Sequence, residues 1–333
     1  MVFLVLILML FAILAASMVF TNALEHLGER LGISEGATGS IFAAVGTALP
    51  ETLMPIIAIS AGTAPPSVNE EIGVGAILGA PLMLSTLSLC LMALSTVRQR
   101  RLQGTLAPER SGLARDLNMF LFAFSLATAA LFLPLRLPEA RTLVALVLIL
   151  IYFVYLFLTL QASSTLADIG HATEADEALI LSHLGLPPGL PVILLQLALG
   201  LALLIGGAKG FVYGVTEGAH LLGLSPLLLS LVTIPIATEL PEKVNSIRWI
   251  RRGKDTLAFG NITGAMVFQG TLLPAIGVLL TPWVPSREVA SAAAITWLSA
   301  AWLRLRVSRG PLQVWHLAVN GALYAIYLMI ALG

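Results

Sequence analysis

TIPIATELPEKVN, Thr233 to Asn245, sets Glu239, Glu242 and Lys243 beside two prolines, Pro235 and Pro241, in an otherwise apolar neighbourhood. A near copy, AAVGTALPETLM, runs from Ala43 to Met54 and carries Pro50 and Glu51, with Pro55 one residue beyond. Proline removes a backbone donor and interrupts a helix. A carboxylate kept beside that interruption twice in so greasy a chain requires a physical reason.

The surroundings are those of a bilayer. Of 333 residues, 58% are hydrophobic and 11% charged, with a mean hydropathy of +0.94, whereas soluble domains carry about 25% charged residues. The net charge of zero leaves no basic surface for a nucleic acid. One cysteine, Cys90, excludes an internal disulfide and a cysteine-based metal cluster. The opening run MVFLVLILMLFAILAASMVF has no basic start and reaches spanning length, so it reads as a transmembrane helix rather than a signal peptide.

Ten apolar segments follow one another, at 2–22, 36–62, 72–97, 117–135, 140–161, 190–216, 224–247, 256–281, 288–305 and 311–332. Each is near the ~20 residues that cross the hydrocarbon core, and helices satisfy their own backbone there. Basic residues test the count. Arg30, Arg98 to Arg115, Arg248 to Lys254 and Arg304 to Arg309 fall in alternate loops, against only Arg136, Arg141 and Arg287 on the other side. The positive-inside rule then makes the first set cytoplasmic and puts both termini outside, in a plasma (inner) membrane. The expected fold is an all-α polytopic membrane protein of ten transmembrane helices.

The halves repeat. A shift of 191 residues aligns LGISEGATGSIFAAVGTALPE (Leu31–Glu51) with LGLSPLLLSLVTIPIATELPE (Leu222–Glu242), so Thr47 meets Thr238, Pro50 meets Pro241 and Glu51 meets Glu242. Further on, EIGVGAILGA (Glu71–Ala80) aligns with TLAFGNITGA (Thr256–Ala265), and Gly75 and Gly79 meet Gly260 and Gly264. Five helices per copy is an odd number, so the copies enter the membrane from opposite sides. That predicts two inverted five-helix repeats, residues 1–161 and 189–333, joined by a polar linker at 162–188. Asp168, His171, Glu174, Asp176, Glu177 and His183 of the linker match no ligand spacing, and it reads as a solvated connector.

Inverted repeats place substrate sites near the midplane, where broken helices free carbonyls and helix ends. An intramembrane carboxylate costs about 2.5–3.5 kcal/mol on insertion scales. Glu51, Glu239 and Glu242 together therefore cost roughly 8–10 kcal/mol unless paired or hydrated, and a cation site is the reason to keep them. Lys243 reads either as a tie that neutralises Glu242 or as a tethered cation in place of a bound sodium. Lys209 reads either the same way or as a structural, snorkelling side chain. No metalloprotease motif, phosphate loop or nucleophile elbow occurs, so the chain is not expected to be an enzyme or to need a cofactor.

The paired motifs resemble the sodium/calcium exchanger family of the calcium/cation antiporter superfamily, with its GTSLPE-like elements on helices 2 and 7 and GN-x-x-GSN-like elements on helices 3 and 8. The lead-ins NALEHLGERLGIS (Asn22–Ser34) and GAKGFVYGVTEGAHLLGLS (Gly207–Ser225) are similar to it too. The resemblance implies antiport of calcium, or another small cation, against sodium or protons by alternating access. It makes Glu51 and Glu242 holders of the central cation and Thr47 and Thr238 the threonines of the bends. Ala48 and Glu239 stand where the family has serine, Pro81 and Leu84 where helix 3 has polar ligands, Gln269 at the Asn/Asp position of helix 8, and Asn261 at its GN asparagine. Oxygen ligands have thus gathered in the second half. Glu239 and Glu242, three apart, repel each other, which favours a proton as coupling ion. A cation channel and a non-transporting scaffold are the alternatives, and monomer and homodimer stay open.

Overall fold

Among the described residues seven helices are long and apolar enough to cross a membrane. The structure, a computed structural model, describes residues 2–30, 51–60, 65–167 and 178–333. In chain order the helices are α1 (Val2–Arg30), α2 (Glu51–Ser60), α3 (Pro66–Arg100), α4 (Arg110–Ala129), α5 (Pro138–Ala167) and α6 (Leu190–Leu222). Then follow α7 (Pro226–Thr238), α8 (Leu240–Arg251), α9 (Asp255–Leu280), α10 (Arg287–Arg309) and α11 (Val314–Leu332).

The expected segments fall on these helices with three differences. Segment 36–62 is described only over α2, and Thr47, Ala48 and Pro50 lie outside the described residues. Segment 224–247, read as one span, divides into α7 and α8. Segment 288–305 is helical, but arginines at both ends keep it out of the long apolar set. Residues 168–177 of the linker, with Asp168 to Glu177, also lie outside the described residues, and His183 sits on a short 3-10 turn, Ile180–Leu184.

Burial runs in the sense a bilayer demands. α3 and α9 are the most enclosed spans, whereas α1 and α5 turn outward large apolar side chains such as Phe11, Leu146, Phe153 and Phe157. Water would not tolerate such a rim; lipid does.

Two packing devices set the helix directions. Gly200, Gly207 and Gly214, spaced a heptad apart on α6, bring its backbone against Phe20, Ile13 and Leu6 of α1. Rising numbers on one helix meet falling numbers on the other, so α1 and α6 are antiparallel. Small residues permit this close approach where no hydrophobic effect draws helices together. On α3, a β-carbon at Gly75 would collide with Ser230 Oγ and the Leu227 carbonyl, and one at Gly79 with the Leu231 carbonyl and Pro235. Numbers rise together here, so α3 and α7 run parallel.

Five residues of α3, Leu84–Ser88, form a π-turn just after the internal Pro81. The Ser85 carbonyl is taken up by Ser299 Oγ of α10 at 2.6 Å and by Asn320 Nδ2 of α11 at 3.0 Å. Partners from outside the helix are what make an irregular turn tolerable at membrane depth.

The basic loops collect at one end. Arg100 makes a two-pronged pair with Asp255, both contacts at 2.7 Å, and Thr105–Leu106 (β1) pairs antiparallel with Leu312–Gln313 (β2). Arg304 Nε donates to Asn118 Oδ1 at 2.6 Å. At the opposite end, buried Arg141 donates to the carbonyls of Val278, Thr281 and Pro282. A cation there caps the last turn of α9, a structural reason for one of the few arginines on that side.

Two apolar cores result. One is built mainly from α3, α4, α5, α9, α10 and α11, the other from α1, α2 and α6, and both α3 and α7 contribute to each. The polar cluster lies between them.

Candidate cation-binding site

The break in the seventh segment is written in its prolines. Ser225 caps α7, its Oγ accepting from Leu228 N at 3.1 Å. Pro235 lies inside α7 and Pro241 in the first turn of α8; between them Glu239 adopts φ −95° and ψ 2°. Glu239 N still donates to the Pro235 carbonyl at 3.1 Å, and the Glu239 carbonyl accepts from Lys243 N at 3.1 Å. Backbone bonds thus cross the break, and Glu242 falls in the first turn of α8, where the helix dipole favours a negative charge. Gly75 and Gly79 hold α3 against α7 from Leu227 to Pro235, just before this bend.

Around the break lie side chains that a membrane interior ordinarily excludes. Glu51 is 4% exposed, Glu239 0%, Glu242 6%, Lys243 4% and Gln269 0%. Gln269 on α9 joins the two halves: its Nε2 donates to Glu51 Oε2 at 3.0 Å and to Glu239 Oε1 at 2.6 Å. Among the described residues three buried oxygens here have no hydrogen-bond partner, Glu239 Oε2, Glu242 Oε2 and Gln269 Oε1. An unpartnered buried carboxylate oxygen is costly. A hard cation with oxygen ligands is the chemistry that would satisfy three of them together.

Each expected ligand among the described residues has a definite place, and Thr47 lies outside them. Glu51, Glu239 and Gln269 meet directly. Glu242 and Lys243 stand beyond them, close enough for all four charged groups to sense one another. Thr238 turns its hydroxyl back to the Ile234 carbonyl at 3.4 Å, leaving an oxygen at the bend. Asn261 is a brace: its Nδ2 donates to the Glu242 carbonyl and to Ser246 Oγ, each at 3.0 Å, and so fixes the first turn of α8. Lys209 is exposed on α6, away from the cluster. Among the described residues no three acidic, histidine or cysteine groups close into a metal cage. The arrangement is an amide-bridged pair of carboxylates with a third beside it.

Two features escaped sequence reasoning. Tyr152 on α5 packs edge-on against Phe268, ring centroids 5.6 Å apart, beside Gln269. Asp116 on α4 is buried and accepts from Thr263 Oγ1 at 2.8 Å. It lies one residue outside the expected span 117–135 and next to Arg115, the position of an ordinary interfacial charge. A polar partner one residue before Gly264 in the repeated motif was the available signal.

A model of the sodium/calcium exchanger protein family matches residues 1–161 and 192–333. The chain belongs to the sodium/calcium exchanger family. That family is one of exchangers, not of enzymes, and this member is a membrane protein. It is 37% identical over 116 residues to the putative antiporter CaxA of Alkalimonas amylolytica, covering 34% of this chain and 36% of that one. It is 34% identical over 94 residues to inner membrane protein YrbG of Escherichia coli (strain K12), covering 28% and 29%. The matches thus span about a third of each curated relative. The crystal structure of the H+/Ca2+ exchanger CAX superposes with a TM-score of 0.70 at 16% identity, covering 99% of this chain and 86% of that one. The sodium-calcium exchanger NCX_Mj gives 0.58 at 20% identity over 99% of both chains. At such identities the likeness carries the exchanger fold alone.

Proposed function

We propose that the chain is a secondary active cation antiporter that exchanges calcium, or another small cation, against protons or sodium by alternating access. The observation that carries this reading is the Gln269 bridge, which ties Glu51 of the first half to Glu239 of the second beside a broken helix. Residues 1–161 and 189–333 act as two inverted five-helix repeats that rock about this cluster, joined by the linker at 162–188. The antiparallel α1 and α6, the first helices of the two halves, support that arrangement. Glu51, Glu239, Glu242, Gln269, Thr47 and Thr238 supply oxygens to the cation, and Asn261 holds α8 in place. The end bearing the basic loops faces the cytoplasm, and both termini face outward from a plasma (inner) membrane.

Calcium-45 flux into proteoliposomes, with sodium and pH gradients imposed separately, tests the function. Uptake driven by either counter-ion gradient is expected. Flux that dissipates without coupling would mean a channel, and absence of both flux and cation-dependent stabilisation would mean a scaffold.

A further inference from the structure

Lys243 is the residue of the cluster that a cation site least invites. It is 4% exposed, and its stem runs back from the first turn of α8 to the end of α7. Its Nζ donates to the Pro235 carbonyl at 3.1 Å and lies 2.8 Å from Met83 Sδ of α3. It therefore does not snorkel to the interface. Nor is it a tie for Glu242: among the described residues its nitrogen forms no direct ion pair, although Glu239, Glu242 and Glu51 all act on its charge. Among the described residues its one oxygen partner is a neutral carbonyl beside the helix break, the kind of ligand that also holds an alkali cation. Standing off the carboxylates, the ammonium leaves Glu239 Oε2 and Glu242 Oε2 unpartnered.

We propose that the ammonium of Lys243 is a resident cation that permanently fills one monovalent position of the Glu51–Glu239–Glu242 cluster. The inference rests on the antiport reading and deepens it by fixing the charge that is exchanged. Three carboxylates and one ammonium carry two net negative charges. One divalent cation neutralises them, and so do two monovalent ions, whether protons or sodium. A cycle that carries one calcium one way and two monovalent cations the other moves no net charge. The tethered ammonium goes through the cycle unexchanged. Without it, the cluster would hold three negative charges and call for one further monovalent ion per calcium.

The membrane potential reads this directly. The full chain, reconstituted with calcium-45 inside and a fixed counter-ion gradient, is brought to steady state at several potentials set by potassium and valinomycin. The wild-type calcium ratio is expected to stay constant with potential. Lys243→Met keeps an unbranched stem without the charge, and should shift the ratio about tenfold for each ~60 mV, the equivalent of one extra charge per cycle. Lys243→Arg retains the cation and, whatever its rate, should keep the steady-state calcium ratio independent of potential. A potential-independent Lys243→Met, or a potential-dependent wild type, overturns the resident cation and leaves antiport standing. A wild type with no counter-ion-driven calcium movement overturns the antiport reading and this inference with it. If Lys243→Met folds but does not transport, calcium binding in detergent competed by sodium and by protons decides. A competition slope raised by one ion supports the proposal, and an unchanged slope overturns it.

Discussion

Gln269 holds two carboxylates with one amide nitrogen, and that arrangement explains why a glutamine serves where an acid would add a fourth negative charge. Both hydrogens of its Nε2 are used, one on each half of the molecule, and its own oxygen stays available. Hydrogen bonds to charged groups contribute about 1.5–3 kcal/mol each. Replacing Glu51 by Gln keeps the volume and removes the charge, so it should abolish calcium-45 flux while the purified protein still elutes as a folded species. Near-normal flux from Glu51→Gln would remove Glu51 from the site. The place of Glu51 and Glu242 in the buried cluster was legible from the repeat register, and that of Gln269 from the resemblance to the family's motif. Their partnership was not. The register equates Glu51 with Glu242, whereas the bridge reaches Glu239, because a helical period read from sequence assumes a continuous helix and Glu239 sits at the break.

At the scale of elements, the cluster exists because backbones approach closely. α3 meets α7 through Gly75 and Gly79, and that contact ends on Pro235, four residues before the bend at Glu239. Gly75→Val would drive a side chain into the Leu227 carbonyl and the Leu231 amide nitrogen, backbone atoms that a rotamer change cannot clear. Overpacking of this kind costs about 1–3 kcal/mol, so the thermal midpoint in detergent should fall by several degrees. Gly206→Ala is the matched control: it is exposed on α6 with no described atom within 4 Å of the added carbon. It should be neutral or stabilising by about 0.5–1 kcal/mol, since alanine suits a helix better than glycine. Equal losses from both changes would show that the α3–α7 contact has no special weight. Seven of the ten expected spans were readable among the described residues, because apolar length and loop charge are local properties. The π-turn of α3 was not, since it depends on Ser299 and Asn320 from helices more than two hundred residues away.

For the whole molecule, the end that carries Arg100, Lys254 and Arg304 is set against the end that carries Arg141 and Arg287, and sidedness decides which face of the site opens to which solution. With Cys90 replaced by serine, a cysteine at Thr105 should react with an impermeant thiol reagent only after the cell is opened. One at Arg136 should react from outside. External labelling at 105 would invert the topology. Coupling is then a matter of what the cluster accepts from each side. The resemblance to the family implies small hydroxyls beside the glutamates at two positions that in this sequence are Ala48 and Glu239, so in the proposed site sodium would lose ligands while a third carboxylate is gained. Glu239 Oε2 has no hydrogen-bond partner among the described residues, so in the proposed site it would take a proton where the serine that the resemblance implies would take sodium. A pH gradient should therefore drive calcium movement at least as well as a sodium gradient of equal size. Glu239→Ser should weaken the proton dependence and strengthen the response to sodium, measured as initial calcium-45 flux under each gradient alone. Uptake driven only by sodium, with a pH gradient doing nothing, would leave Glu239 a ligand of the cation and remove it as the carrier of the counter-ion.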